Sequence, residues 1–205
     1  LEQNFAMMKK FSLPGDGITR LAFSNEDWEA RAFIMDLMKQ AGLDIRVDDF
    51  GNVIGRRDGV NTKAPVVMCG SHIDSVPHGG NFDGVLGVLG AIAVINMMND
   101  NGFRNYNPIE IVVFMCEESS RFGVATLGSK AMCGELSVDK MKLLKDSAGK
   151  SLYDILLGRG LKPDKVKKTL QTDKLKACVE MHIEQGKVLE TLHKSIGIVT
   201  GIAAP

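Results

Sequence analysis

The chain has 205 residues, with 25 Lys+Arg balancing 25 Asp+Glu and a 44% hydrophobic content. Zero formal charge leaves no positive field to draw in a phosphate backbone or acidic lipid, and these ordinary fractions exclude disordered and fibrous classes. At this length roughly 70% of the unfolded surface can be buried, enough for one large domain or a tight pair.

The longest apolar run, Val85 to Met98, is broken by Gly87, Gly90 and Asn96 and is too short to span a bilayer. Cys69, Cys116, Cys133 and Cys178 occur singly, as thiols of a reduced interior do. The expectation is a soluble, cytoplasmic protein with neither nucleic acid nor membrane as partner. No basic and then apolar leader follows Leu1, so no secretory signal is expected. The missing initiator Met and the abrupt Ala203-Ala204-Pro205 ending suggest a piece of something longer.

In chain order, Ser24 and Asp27 form a capping pair ahead of Trp28, Phe33, Ile34, Leu37, Met38 and Ala41, which predicts a helix over Asn25 to Ala41. Leu43 to Asp48 and Asn52 to Arg57 read as a strand pair, closed by the Asp58-Gly59 turn. Pro65 to Gly70 is apolar on both faces, as a central strand is, and Val85 to Asn99 is an apolar helix. Its Gly84, Gly87 and Gly90 form a small-residue stripe that would let it lie close to the sheet. Pro108 to Met115 is a second buried strand, Leu127 to Cys133 and Val138 to Lys145 are short helices, and Ala177 to Ile183 is a third buried strand. The Lys-rich segment 145–176 reads as solvated periphery, and Ile196 to Ile202 alternates like a final strand. Strands alternating with helices imply an α/β fold: a three-layer α/β/α arrangement around a mostly parallel mixed sheet, with ligands gathering at the carboxyl ends of the strands.

Each apolar strand is followed at once by metal-type side chains: His72 and Asp74, then Glu117 and Glu118, then His182 and Glu184. Asp83 joins them from the Gly79–Gly84 loop, where it can also cap the next helix. Imidazoles and carboxylates without thiolates suit Zn, Mn, Co or Ni in a catalytic setting. Singly, each His is more often a hydrogen-bonded polar residue, and a Glu pair is usually a solvated face. Three such sets at three strand ends favour a metal centre, because polar groups beside a core need partners. In extended chain His72 and Asp74 share a face, so Asp74 can accept the His72 ring N–H and hold its tautomer. Glu117 and Glu118 would point to opposite sides, so one ligates while the other moves the proton of an activated water. His78 and His193 are expected to be loop residues. No G-x-G-x-x-G, Walker loop or H-E-x-x-H occurs.

Four stretches carry a family resemblance. They are Gly-Ser-His-Ile-Asp-Ser-Val-Pro-His-Gly-Gly-Asn-Phe-Asp-Gly (70–84), Glu-Glu-Ser-Ser-Arg-Phe-Gly (117–123), Leu-Gly-Ser-Lys (127–130) and His-Ile-Glu-Gln-Gly-Lys-Val-Leu-Glu (182–190). The chain resembles the hydantoinase/carbamoylase branch of the M20 metallopeptidase-like amidohydrolases. That branch holds the N-carbamoyl-L-amino-acid hydrolases, with allantoate amidohydrolase and β-ureidopropionase as relatives. Thr19 to Leu21 and Asp48 to Asn52 extend the resemblance upstream.

The resemblance implies a zinc-aminopeptidase-like catalytic domain with two divalent ions, zinc first, manganese, cobalt or nickel as alternatives. Asp83 would bridge them, His72 and His182 would hold one ion and Glu118 the other. Glu117 would be the general base, Asp74 would keep the role of orienting the His72 ring, and Gln185 would be a contact to the substrate's carboxylate end. The implied reaction is hydrolysis of a linear ureido C–N bond in an N-carbamoyl-L-amino acid, releasing the amino acid, CO2 and ammonia. Allantoate hydrolysis, a peptidase or deacylase activity, and a catalytically silent α/β binding module are the alternatives. Lys187 stands where many relatives carry Pro. The resemblance also makes residues 1–205 the N-terminal portion of the catalytic domain of a longer homodimeric protein, whose dimerisation or lid domain and C-terminal catalytic segment lie outside this chain. Weak metal binding and little turnover are expected of these 205 residues alone.

Overall fold

The computed structural model describes residues 1–202. It opens with a helix that the sequence pattern did not reveal, α1 (Glu2–Lys10), which buries only Met8. A helix this short is marginal in water by itself. Buried Arg20 holds it from outside: Nη1 donates to the carbonyls of Met8 (2.8 Å) and Phe11 (2.7 Å), and Nε donates to that of Ile73 (2.7 Å). No apolar periodicity in residues 1–10 carries that information.

The second helix, α2 (Asn25–Gln40), begins where the capping residues place it. Ser24 Oγ accepts the Asp27 N–H at 3.2 Å, and Asp27 Oδ2 accepts the Phe23 N–H at 2.8 Å. The first bond satisfies one of the helix's otherwise orphaned N-terminal donors, and the second fixes the chain just ahead of the cap. Ala30, Ile34 and Met38, four apart, form its buried stripe.

Strands β1 (Asp44–Val47) and β2 (Val53–Arg57) pair antiparallel, followed by β3 (Val66–His72), α3 (Val85–Asp100), β4 (Ile109–Phe114), α4 (Leu127–Cys133), α5 (Val138–Leu143), α6 (Leu152–Gly158), β5 (Leu175–Val179) and the short α7 (Val188–Thr191). One five-stranded sheet runs β1-β2-β4-β3-β5. Adjacent side chains of its strands go to opposite faces: Val53, Ile111 and Val113 pack with Ile34, Met38, Val88 and Leu89 of α2 and α3, while Ile54, Val112 and Met68 pack with Met132 of α4. Helices therefore cover both faces, and the three-layer α/β/α architecture holds.

Several local expectations are corrected. The sheet is evenly mixed: β3 pairs parallel with β4 and β5, but β1–β2 and β2–β4 are antiparallel. The 48–52 turn is too short for a crossover, so β1 and β2 can only run antiparallel. The third strand spans Leu175–Val179 and stops short of His182. Residues 196–202 form no strand and lie exposed, because alternation becomes a strand only beside a partner edge, and no described strand runs next to them. Segment 145–176 is not all periphery, since α6 buries Leu152, Ile155 and Leu156.

Candidate metal centre

His72 ends β3 and is 3% exposed. Its Nδ1 lies 2.9 Å from the Asp74 carbonyl oxygen. A carbonyl can only accept, so Nδ1 carries a hydrogen, and in the neutral ring Nε2 is the nitrogen that holds the lone pair, directed into the site. The orienting acceptor is thus the Asp74 main chain, and its carboxylate Oδ1 stands 3.6 Å from the ring. His182 is held in the same way, its Nδ1 2.9 Å from the Ile183 carbonyl oxygen and its Nε2 3.2 Å from Asp83 Oδ1. The two imidazoles stack with centroids 6.0 Å apart.

The Asp74 carboxylate has a different task. Its Oδ1 accepts the Glu117 N–H at 3.2 Å and its Oδ2 accepts the Glu118 N–H at 3.1 Å. Cys116, just before them, takes a left-handed conformation (φ 55°), so the chain is not extended there and the alternation expected of adjacent residues is lost. Both glutamates consequently face His72, with Glu117 Oε2 3.6 Å from His72 Nε2. Two sets of ligand atoms lie within 4.8 Å of one another: His72, Asp83 and His182, and His72, Glu117 and Glu118. Asp83 and Glu118 fall in different sets, and His72 belongs to both.

Glycines make room for this convergence. The His72 ring lies against Gly84 at the start of α3, where a Cβ would come within 2.5 Å of Nε2. At Gly87 a Cβ would meet the Met181 carbonyl at 2.5 Å and Ser71 Cβ at 2.7 Å. The small-residue stripe seats the segment leading to His182 as well as the sheet. Ser71 Oγ, buried, donates to Glu180 Oε1 at 2.5 Å and ties that segment to β3. Gln185 donates from Nε2 to Asp83 Oδ1 at 3.0 Å and is exposed. Glu184 instead accepts the N–H groups of Val188 and Leu189 and caps α7. His78 and His193 are exposed loop residues outside the cluster.

The donor chemistry fits divalent cations. Burial and then the neighbouring charges of Asp74 and Glu180 raise the proton affinity of Glu117, against the pull of His72. Glu118 is raised by burial and by Asp74, Glu117 and Asp83, again against His72. Burial alone would lower His72, but Asp74 and Glu117 outweigh it and lift its pKa to about 9. Crowded negative charge around His72 is what a positive ion bound there would offset.

Sequence reasoning had no role for Asn52, Arg20, Ser71 or Glu180. The Asp48–Asn52, Thr19–Leu21 and 70–84 stretches contain the first three, as parts of longer matching segments, and Glu180 lies in none of them.

Residues 68–201, more than half of the chain, match peptidase family M20/M25/M40. The chain belongs to this family. Among M20 relatives, it is 44% identical over 191 residues to the N-carbamoyl-L-amino acid amidohydrolase of Geobacillus stearothermophilus, covering 93% of this chain and 46% of that protein. It is 37% identical over 187 residues to the allantoate amidohydrolase of Bacillus subtilis, covering 91% and 45%. A hydantoinase/carbamoylase family amidase from Burkholderia ambifaria superposes with a TM-score of 0.88 at 37% identity, over 98% of this chain and 48% of that one. These likenesses place the chain in the hydantoinase/carbamoylase branch of M20, and it spans about half the length of the curated relatives it matches.

Proposed function

We propose that the chain is the N-terminal portion of the catalytic domain of a longer amidohydrolase that cleaves a linear ureido C–N bond, most plainly that of an N-carbamoyl-L-amino acid. The observation that supports this is His72, which belongs to two carboxylate-bearing ligand sets. His72, Asp83 and His182 would hold one divalent ion and Glu118 the other, with Asp83 between them. Zinc is the ion we favour, with manganese, cobalt or nickel able to use the same donors. When bound, the ions supply Lewis acidity toward the ureido carbonyl and the attacking water.

The remaining work falls to the chain's own groups. Glu117, next to His72 and with its proton affinity raised, takes a proton from water as the carbonyl is attacked and delivers it to the departing nitrogen. Addition of one water across the terminal C–N bond yields ammonia and a carbamate, which breaks down to CO2 and the amino acid. Asp74 fixes the glutamate backbone through the transfer. Gln185, beside Asp83, would release that contact to bind the substrate carboxylate. The four free cysteines accord with a cytoplasmic location, and a homodimer follows from the family resemblance.

The test is ammonia release from N-carbamoyl-L-amino acids by the full-length protein supplied with Zn, Mn or Co. Glu117→Gln should reduce turnover by about 10²- to 10⁴-fold while metal content stays unchanged. Failure to hydrolyse any carbamoyl or ureido compound would defeat the proposal. The likeness to an allantoate amidohydrolase favours allantoate as the second substrate to assay.

A further inference from the structure

Asn52 is completely buried at the entry to β2, on a different element from every residue assigned above. Its side-chain amide is used at both ends. Oδ1 accepts the Met115 N–H at 2.9 Å, and Nδ2 donates to Asp48 Oδ2 at 2.7 Å and to the Gly128 carbonyl at 3.1 Å. Asp48 is itself committed, its Oδ1 accepting the N–H groups of Phe50, Gly51 and Asn52. The amide cannot turn over, because its oxygen would then face a carboxylate and a carbonyl.

These bonds fall on both sides of the glutamate pair. Met115 is the first residue after β4, between its last residue Phe114 and the left-handed turn at Cys116. Gly128 lies in the first turn of α4, the helix that receives the chain after the glutamate loop. The loop is closed across its neck by Leu127 N–H to the Cys116 carbonyl (3.0 Å) and Thr126 N–H to that of Glu117 (2.6 Å). Gly128 must be glycine for the closure, since a Cβ there would run into Asn52 Oδ1 and the Met115 backbone. Asp74 grips the same loop from the opposite side through the Glu117 and Glu118 N–H groups.

We infer that Asn52 is a positioning residue for the Glu117–Glu118 pair: by clamping Met115 to Gly128 it sets the direction in which β4 leaves the sheet, and so aims both carboxylates at His72. The inference rests on the metal reading above, because what it positions is one of the two ligand sets. His72, Asp83 and His182 are carried by β3, the 79–84 loop and the segment after β5, whereas the Asn52 side chain hydrogen-bonds only to Asp48, Met115 and Gly128.

The test uses the full-length protein and compares Asn52→Ala with Ile34→Ala, which opens a cavity in the α2 core and lowers stability without touching the loop. Two readouts separate positioning from general loosening. In metal-free protein, amide hydrogen exchange of residues 115–118 should accelerate about tenfold or more in Asn52→Ala relative to residues 66–72, and equally in both segments in Ile34→Ala. In a Co²⁺ titration followed by visible absorption, Asn52→Ala should weaken one of two ions by about 10- to 100-fold and change the spectrum, with the other ion retained, whereas Ile34→Ala should leave both. Exchange that rises uniformly in Asn52→Ala, or unaltered Co²⁺ affinity and spectrum, would overturn the inference. A wild-type protein that takes up no Co²⁺ would instead sink the metal reading, and the exchange comparison would still decide whether Asn52 holds the loop.

Discussion

Asp74 reaches Glu118 through the main chain: its Oδ2 accepts the Glu118 N–H at 3.1 Å, while Oδ1 takes that of Glu117 at 3.2 Å. One carboxylate 2% exposed therefore sets two backbone positions, and its own carbonyl sets the tautomer of His72. Asp74→Asn keeps the shape but turns an NH2 toward one of the two N–H groups. Losing that charge-assisted bond should cost about 1.5–3 kcal/mol in urea unfolding and weaken metal uptake by about 10- to 100-fold. Full metal affinity in Asp74→Asn would mean that the glutamates are held by something else.

Gly87 and Gly90 sit one turn apart on α3 and both face Met181, but they meet different parts of it. At Gly87 the obstacle is the Met181 carbonyl, next to His182; at Gly90 it is the far end of the flexible Met181 side chain. Gly87→Ala should therefore lower stability by about 1–3 kcal/mol and reduce metal uptake, since the His182 segment must move out. Gly90→Ala should be neutral or stabilising, because Ala gains up to about 1 kcal/mol in helix propensity and the methionine end can turn aside. Thermal melts and metal analysis of both variants check the contrast, and equal effects would dismiss it.

Asp27 is buried beneath the start of α2, and burial, with a smaller push from Asp74, raises its pKa from 3.8 to about 6 against the pull of Arg31 and Arg20. A raised carboxyl pKa means that the folded state keeps its proton in a range where the unfolded chain has lost it. Its contribution to stability is thus greatest below about pH 4, falls as pH rises toward 6, and is level above that. Asp27→Asn removes the titration. The stability of Asp27→Asn relative to wild type should rise between pH 4 and 6 and stay constant from pH 7 to 8, as read from urea midpoints at each pH. A difference independent of pH would show that Asp27 titrates normally.

Much of the fold was legible in the sequence because local chemistry decides it. The Ser24–Asp27 cap starts α2 at Asn25, the apolar runs become β3 and β4, and Leu127–Cys133 is a helix with the expected ends. Short-range pattern failed wherever stability comes from elsewhere. α1 depends on Arg20, ten residues beyond its end, and the apolar alternation of 196–202 finds no strand to pair with.

The candidate site divides in the same way. Residue types and their positions after apolar runs, with Asp83 in its Gly-rich loop, pointed to His72, Asp74, Asp83, Glu117, Glu118 and His182 as candidates, but the same reasoning also picked Glu184, which caps α7 instead. How those groups meet was decided only in three dimensions. A single positive φ at Cys116 turns two adjacent glutamates to one side, the backbone of Asp74 takes the hydrogen bond expected of its carboxylate, and Asn52 joins three elements far apart in the chain. Such bonds depend on where backbone amides and carbonyls come to rest, and every residue carries those groups alike, so side-chain order cannot announce them.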